Sequence, residues 1–201
     1  MPLVKAGHII EDRFVRVLDE APVPEGIAVI LPATRLLADA GELVLRQAPT
    51  GVIWPNERKV AELAPYLDWL ALVALVFPNF RDGRAYSQAR ILRERHQFRG
   101  ELRATGQVLR DQLLFLQRAG FDAFEVTKNA DAAAFAEAVH RYSVFYQPTG
   151  DGRPSTLTVP IEGLSNPAAT LSKVVLPQPV GPTTETNSPS PMTSVVSPTA
   201  V

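Results

Sequence analysis

The sequence predicts an α/β protein. Consecutive βα units build a small parallel sheet, half-barrel-like or open, after an N-terminal β-hairpin and before a disordered C-terminal tail. Three observations predict this. Short apolar runs recur over 51–54, 70–77, 101–105 and 122–126, so their ends are spaced by 21 to 28 residues. Helix-period segments lie between them. Near Gln147 the composition changes sharply.

In chain order, "HII" and "FVRV" flank "EDR", which predicts the hairpin. "IAVIL" predicts a strand and "TRLLADAGELVLR" its helix. Asn56 can cap a helix over "ERKVAELA", which Pro65 interrupts. A helix over 86–98 follows the "RDG" turn. Over 107–119, Leu109, Leu113 and Leu116 share one stripe, and Gly120 suits the stop. Asn129 can cap a last helix with Phe135 and Val139 on one face. The strands "ELRAT" and "AFEVT" are not uniformly apolar. Alternation puts Glu101, Arg103 and Thr105 on one face and Leu102 and Ala104 on the other. A buried parallel sheet is apolar on both faces. The charged face therefore implies a curled sheet with a polar interior, or an open sheet wet on one side. About 120 residues of βα units are too few for a closed eight-stranded barrel, which takes about 250.

The expected organisation is one α/β domain over 1–148 and a low-complexity tail over 149–201. Of the 41 charged residues only five fall after Gln147, among 10 of the 18 prolines and 16 Ser or Thr. Such a stretch cannot sustain helix or ladder hydrogen bonds and has no aromatic anchor. There is no cysteine, which excludes disulfides, thiolate metal sites and cysteine-held iron–sulfur clusters. The N-terminus lacks the apolar run of a signal peptide, and the longest such run, 69–77, falls far short of a membrane span. The expectation is a cytoplasmic protein with no membrane or nucleic-acid partner. Its few strands leave sheet edges that a second copy would cover, so a homo-oligomer is expected.

Against a formal charge of −1, the window 77–111 holds eight arginines and four acids. In parallel βα architectures ligands bind beyond the carboxyl ends of the strands. Here those ends are "PATR", "PNE", "PNFRDGR", "TGQ" and "TK". The third is richest. Asn79, Arg81 and Arg84 are the expected substrate-binding residues there, and Arg103 approaches along the neighbouring strand. The planar fork of arginine matches sulfate, phosphate or carboxylate in bidentate fashion. Asp82 and Glu101 are the weak catalytic candidates. The competing reading makes Asp82 a turn cap and pairs Arg103 with Glu101 or Glu125. Arg90, Arg93, Arg95 and Arg99 fall around a helix at mixed angles and read as a solvated face beside Glu94.

Other chemistry is thin. His8, His96 and His140 lack metal-ligand spacing, so no metal site is expected. Ser87 and Ser143 lie in no nucleophile motif, and the glycines form neither a dinucleotide fingerprint nor a P-loop. The cofactor is therefore unknown; flavin or haem held without a local motif stays open.

"FPNFRDGRAYSQARILRERHQFRGELRATGQVLRDQ" followed by "RAGFDAF" resembles the bacterial domain-of-unknown-function 934 family. The resemblance covers roughly 1–150, is strongest from Phe77 to Phe124, and leaves out the tail. Members are named as oxidoreductases of sulfite reduction. The resemblance thus implies a place beside assimilatory sulfite reductase and supplies no catalytic residues. Two readings follow. One is an accessory protein of assimilatory sulfate or sulfite reduction that binds an oxyanion or the reductase. The other is a small (βα)-type enzyme whose Arg81, Arg84 and Arg103 hold an anionic substrate while Asp82 or Glu101 moves a proton.

Overall fold

The computed structural model describes residues 2–127 and, beyond them, positions 132, 133, 145, 146 and 149. The helix expected from Asn129 and the tail beyond Thr149 lie outside the described residues.

Eight strands form one sheet. They are β1 (Leu3–Lys5), β2 (His8–Ile10), β3 (Val15–Arg16), β4 (Val29–Pro32), β5 (Thr50–Trp54), β6 (Leu72–Phe77), β7 (Glu101–Gly106) and β8 (Ala123–Glu125). Their spatial order is β2-β1-β8-β7-β6-β5-β4-β3. From β3 to β8 every neighbouring pair is parallel and consecutive in sequence. Crossovers of one hand between consecutive neighbours place all the connecting helices on one side of the sheet. The opposite side becomes the inside of a curl.

Alternation along the strands sorts the side chains accordingly. Val29, Leu31, Val52, Trp54, Val73, Leu75, Leu102, Ala104 and Phe124 join Leu36, Leu63, Leu92, Leu113 and Leu116 in the main core. On the inner side, Ile30, Leu72 and Ala74 form a small separate cluster with Phe14 and Ile53. The rest of the inner side is polar. Arg16 of β3 reaches Glu125 of β8, although four strands lie between them in the sheet. The sheet therefore curls into an open half-barrel, as the charged strand face implies. Gly51 sits where Leu72 crowds the curl: a Cβ there would lie 3.0 Å from the Leu72 side chain.

The N-terminal hairpin is present, but its strands are β1 and β2. Ala6 and Gly7, both at positive φ, form the two-residue turn that matches strand twist. "EDR" is not a turn. It leads out of β2, and "FVRV" supplies β3, a parallel neighbour of β4.

The helices are shorter than their periodicity suggests. Helix α1 (Ala33–Leu43) follows β4 directly. After β5 a 3₁₀ helix spans Val60–Tyr66 and contains Pro65 rather than stopping at it. Helix α2 (Arg84–Arg90) passes into a π-helical turn, Ile91–Arg95. Helix α3 (Leu113–Arg118) is preceded by one 3₁₀ turn, Arg110–Gln112. Residues 107–109 stay out of it because Gly106 turns at φ 94° and Gln107 N–H bonds the Phe77 carbonyl. Leu109 is consequently exposed, while Leu113 and Leu116 are buried. Gly120, at φ 102°, ends the helical segment as expected.

Candidate functional site

The expected site residues fall into two separate groups. The first is the charged interior. Arg103 points inward from β7 and is 1% exposed. Its Nε donates to Glu101 at 3.0 Å, and Nη1 to Asp12 at 2.6 Å and Glu125 at 3.2 Å. Its Nη2 donates to Asp12 at 3.1 Å and lies 2.9 Å from Glu101. Lys5 donates to the other oxygen of Glu101 at 2.6 Å. Arg16 and Thr105 both donate to Glu125. Three cations, Lys5, Arg16 and Arg103, thus face three carboxylates, Asp12, Glu101 and Glu125.

The protonation states follow. Burial alone would raise the Glu125 carboxyl, but hydrogen bonds from Arg16 and Thr105 and the charges of Arg16 and Arg103 hold it below the usual range. Asp12 is likewise lowered: burial opposes, and bonds from Arg103 and the Phe14 N–H outweigh it. Burial disfavours the Arg103 cation, yet Asp12 and Glu101 raise its pKa. Every inward N–H of this guanidinium meets a carboxylate of the chain itself. The pairing of Arg103 with Glu101 and Glu125 is the arrangement that alternation along two neighbouring strands suggests.

The second group lies in the loop after β6. The Asn79 side chain accepts from Arg81 N–H at 3.0 Å. Asp82 accepts from Arg84 Nε at 3.0 Å and Nη2 at 2.6 Å, and from its backbone N–H at 3.2 Å. The Arg84 side chain is the main cause that holds the Asp82 carboxyl far below its ordinary range, and the Asn56 side chain assists. A carboxylate so acidic is a poor general base near neutral pH. Asp82 also raises the Arg84 pKa. Arg81 lies over the Phe80 ring at 5.4 Å and has no carboxylate partner. No hydrogen bond or ion pair among the described residues links this loop to Arg103 or Glu101.

Sequence reasoning missed several participants. Gln88 of α2 donates to the backbone carbonyls of Asn56 and Arg58, so it locks the β5 end against α2. Asp12 is the clearest omission. Its position between two apolar runs looks like a turn, and nothing local signals that it reaches a residue 91 positions away. Arg93 was read as part of a solvated face. It instead donates to the carbonyls of Phe98, Gly100 and Gly120 and to Asp122. Arg90 does pair with Glu94 on the helix surface. Among the described residues no cluster of His, Asp or Glu is placed to hold a metal ion, and no helix is long and apolar enough to cross a membrane.

Fold and site together define a singly wound α/β half-barrel with a self-neutralised interior and an arginine-bearing loop at its strand ends. The sequence places it more narrowly. The family model for a bacterial protein of unknown function (DUF934) matches residues 51–157, more than half of the chain. The protein belongs to that family. The match begins in β5 and includes the whole arginine window. No curated protein matches the chain.

Proposed function

We propose that the protein is an accessory of assimilatory sulfate or sulfite reduction that acts by binding the reductase, with oxyanion binding as the lesser part of the same loop's work. One observation carries this reading. The acids expected to do chemistry are committed: Asp82 to Arg84, Glu101 to Lys5 and Arg103. The loop 79–84 nevertheless presents Phe80, Arg81 and Arg84 to solvent at the end where such folds bind their ligands. A surface of arginine and aromatic side chains with no uncommitted acid or base suits recognition better than catalysis.

Calorimetry tests the reading, with the host's sulfite reductase holoenzyme in one arm and sulfite or sulfate in the other. Binding of the reductase is expected. A hydrogen bond to a charged group contributes about 1.5–3 kcal/mol, so Arg84→Ala should weaken binding roughly ten- to a hundredfold. Arg84→Lys should recover part of it, because it restores charge without the fork. Arg95→Ala should change little. No binding in either arm would sink the reading, and equal losses at Arg84 and Arg95 would replace the loop with a diffuse basic face.

A further inference from the structure

Three large apolar side chains crowd one side of the strand-end loop. Phe80, Leu109 and Phe115 are 50%, 45% and 69% exposed. One glutamine ties them together. Gln112 Nε2 donates to the Phe80 carbonyl at 3.1 Å, and its Oε1 accepts from Leu109 N–H at 3.3 Å. Phe115 follows Gln112 by three residues, which sets both on one helix face. A single exposed apolar residue is ordinary on a protein surface. Three around one bridging glutamine, at the carboxyl ends of β6 and β7, form a contiguous patch.

The patch has a charged rim. Arg81, Arg84 and Arg110 stand against Asp82 and Asp111. Asp82 is spent on Arg84, and Arg81 rests on the Phe80 ring with no carboxylate partner. The rim is therefore net positive. Its loop is also stiff before any partner arrives. Asn79 holds the backbone N–H groups of Arg81 and Asp82, Asp82 holds Arg84, and Gln112 holds the Phe80 carbonyl. Interfaces draw most of their energy from a few such anchors, aromatic and arginine above all, and pre-ordering removes part of the cost of binding.

We infer that Phe80, Leu109 and Phe115 form the docking surface for a protein partner that offers an apolar anchor flanked by carboxylates. This rests on the reading above and names the part of the loop that does the binding. The apolar side chains supply affinity. The arginines supply orientation and steer an acidic rim, so association should slow as salt rises.

The test uses the full chain and the host's sulfite reductase holoenzyme in surface plasmon resonance. All three residues are solvent-facing, so Phe80→Ser, Leu109→Ser and Phe115→Ser should fold, which thermal melting checks. Phe80→Ser should weaken binding at least tenfold, and the triple variant should abolish it. Arg81→Glu should act mainly on the association rate. Leu45→Ser, at an apolar side chain 80% exposed on α1's carboxyl side, is the control and should bind as wild type. If the wild-type chain does not bind the reductase, the reading and the surface fall together. If it binds and the triple variant binds equally, the surface alone is overturned. If the triple variant instead only lowers the mass seen by light scattering, the patch joins two copies of this chain, and the inference is likewise overturned.

Discussion

Removing Arg103 tests whether the interior is held by its charges. Arg103→Ala would leave Asp12, Glu101 and Glu125 with only Lys5 and Arg16 as partners. Glu125 is nearly as buried as Arg103 itself. Deleting one member of a buried ion pair costs about 3–5 kcal/mol, because the remaining charge is left uncompensated. For a chain of this size each kcal/mol lowers Tm by about 2–4 °C, so a fall of roughly 6–20 °C is expected at neutral pH. The pH dependence gives an independent check. In the wild type Asp12 and Glu125 have lowered pKa values. Their contribution is present above the unfolded carboxylate range near about pH 4 and is lost as pH falls through the folded values. Without Arg103, burial pushes Glu125 upward instead, and proton uptake relieves it. The deficit of Arg103→Ala should therefore shrink between about pH 7 and pH 4.5. The paired variant Arg103→Met with Glu125→Gln should recover part of the loss at neutral pH, since it removes both charges and keeps volume. Differential scanning calorimetry at the two pH values decides. A melting point within about 2 °C of wild type would make the network worth no more than surface pairs. A deficit that grows on acidification would also refute the reasoning.

Two further outcomes are expected. Gly106→Ala should destabilise by at least about 1–3 kcal/mol, because φ is 94° and the new Cβ would press on the Phe77 carbonyl; Gly83→Ala, where the nearest atom is 3.9 Å away, should be close to neutral in the same melts. β2 and β3 each have a sheet neighbour on one side only, so light scattering should give a mass above the 21.9 kDa monomer, and a clean monomer would mean that these edges are covered within one chain.

The parallel sheet was legible because its signal is local and repeated. Apolar runs at βα spacing need no knowledge of their neighbours, and β5 to β8 lie where they place them. The curl was legible as well, from the alternation of Glu101, Arg103 and Thr105 against Leu102 and Ala104. The hairpin was harder. "LVKAGHII" contains a two-residue turn ending in glycine, but the charged "EDR" is the stronger turn signal by composition. What composition could not reveal is that Asp12 is needed as an acceptor for Arg103, a contact set by tertiary geometry. Leu109 was misplaced for the same reason. Its spacing from Leu113 fits a helix stripe, yet the turn at Gly106 delays the helix and leaves that side chain in solvent.

The eight arginines of one window make the general point about reading charge. A sequence counts cations; only the fold assigns their partners. Arg103 is spent inside the half-barrel on three carboxylates. Arg93 is spent on three carbonyls and Asp122, where it closes the turn at Gly120; a Cβ at that glycine would lie 2.6 Å from its Cγ. Arg84, Arg90 and Arg110 have carboxylates within two to four residues. Arg81, Arg95 and Arg99 have no carboxylate partner among the described residues. Of these, only Arg81 sits at the strand ends, and its guanidinium lies on an exposed aromatic ring. A basic window that looks like a broad anion-binding surface thus reduces to a single uncommitted cation beside an apolar patch. That is too little charge to hold a small oxyanion tightly by itself. It is enough to orient a protein surface whose affinity comes from elsewhere.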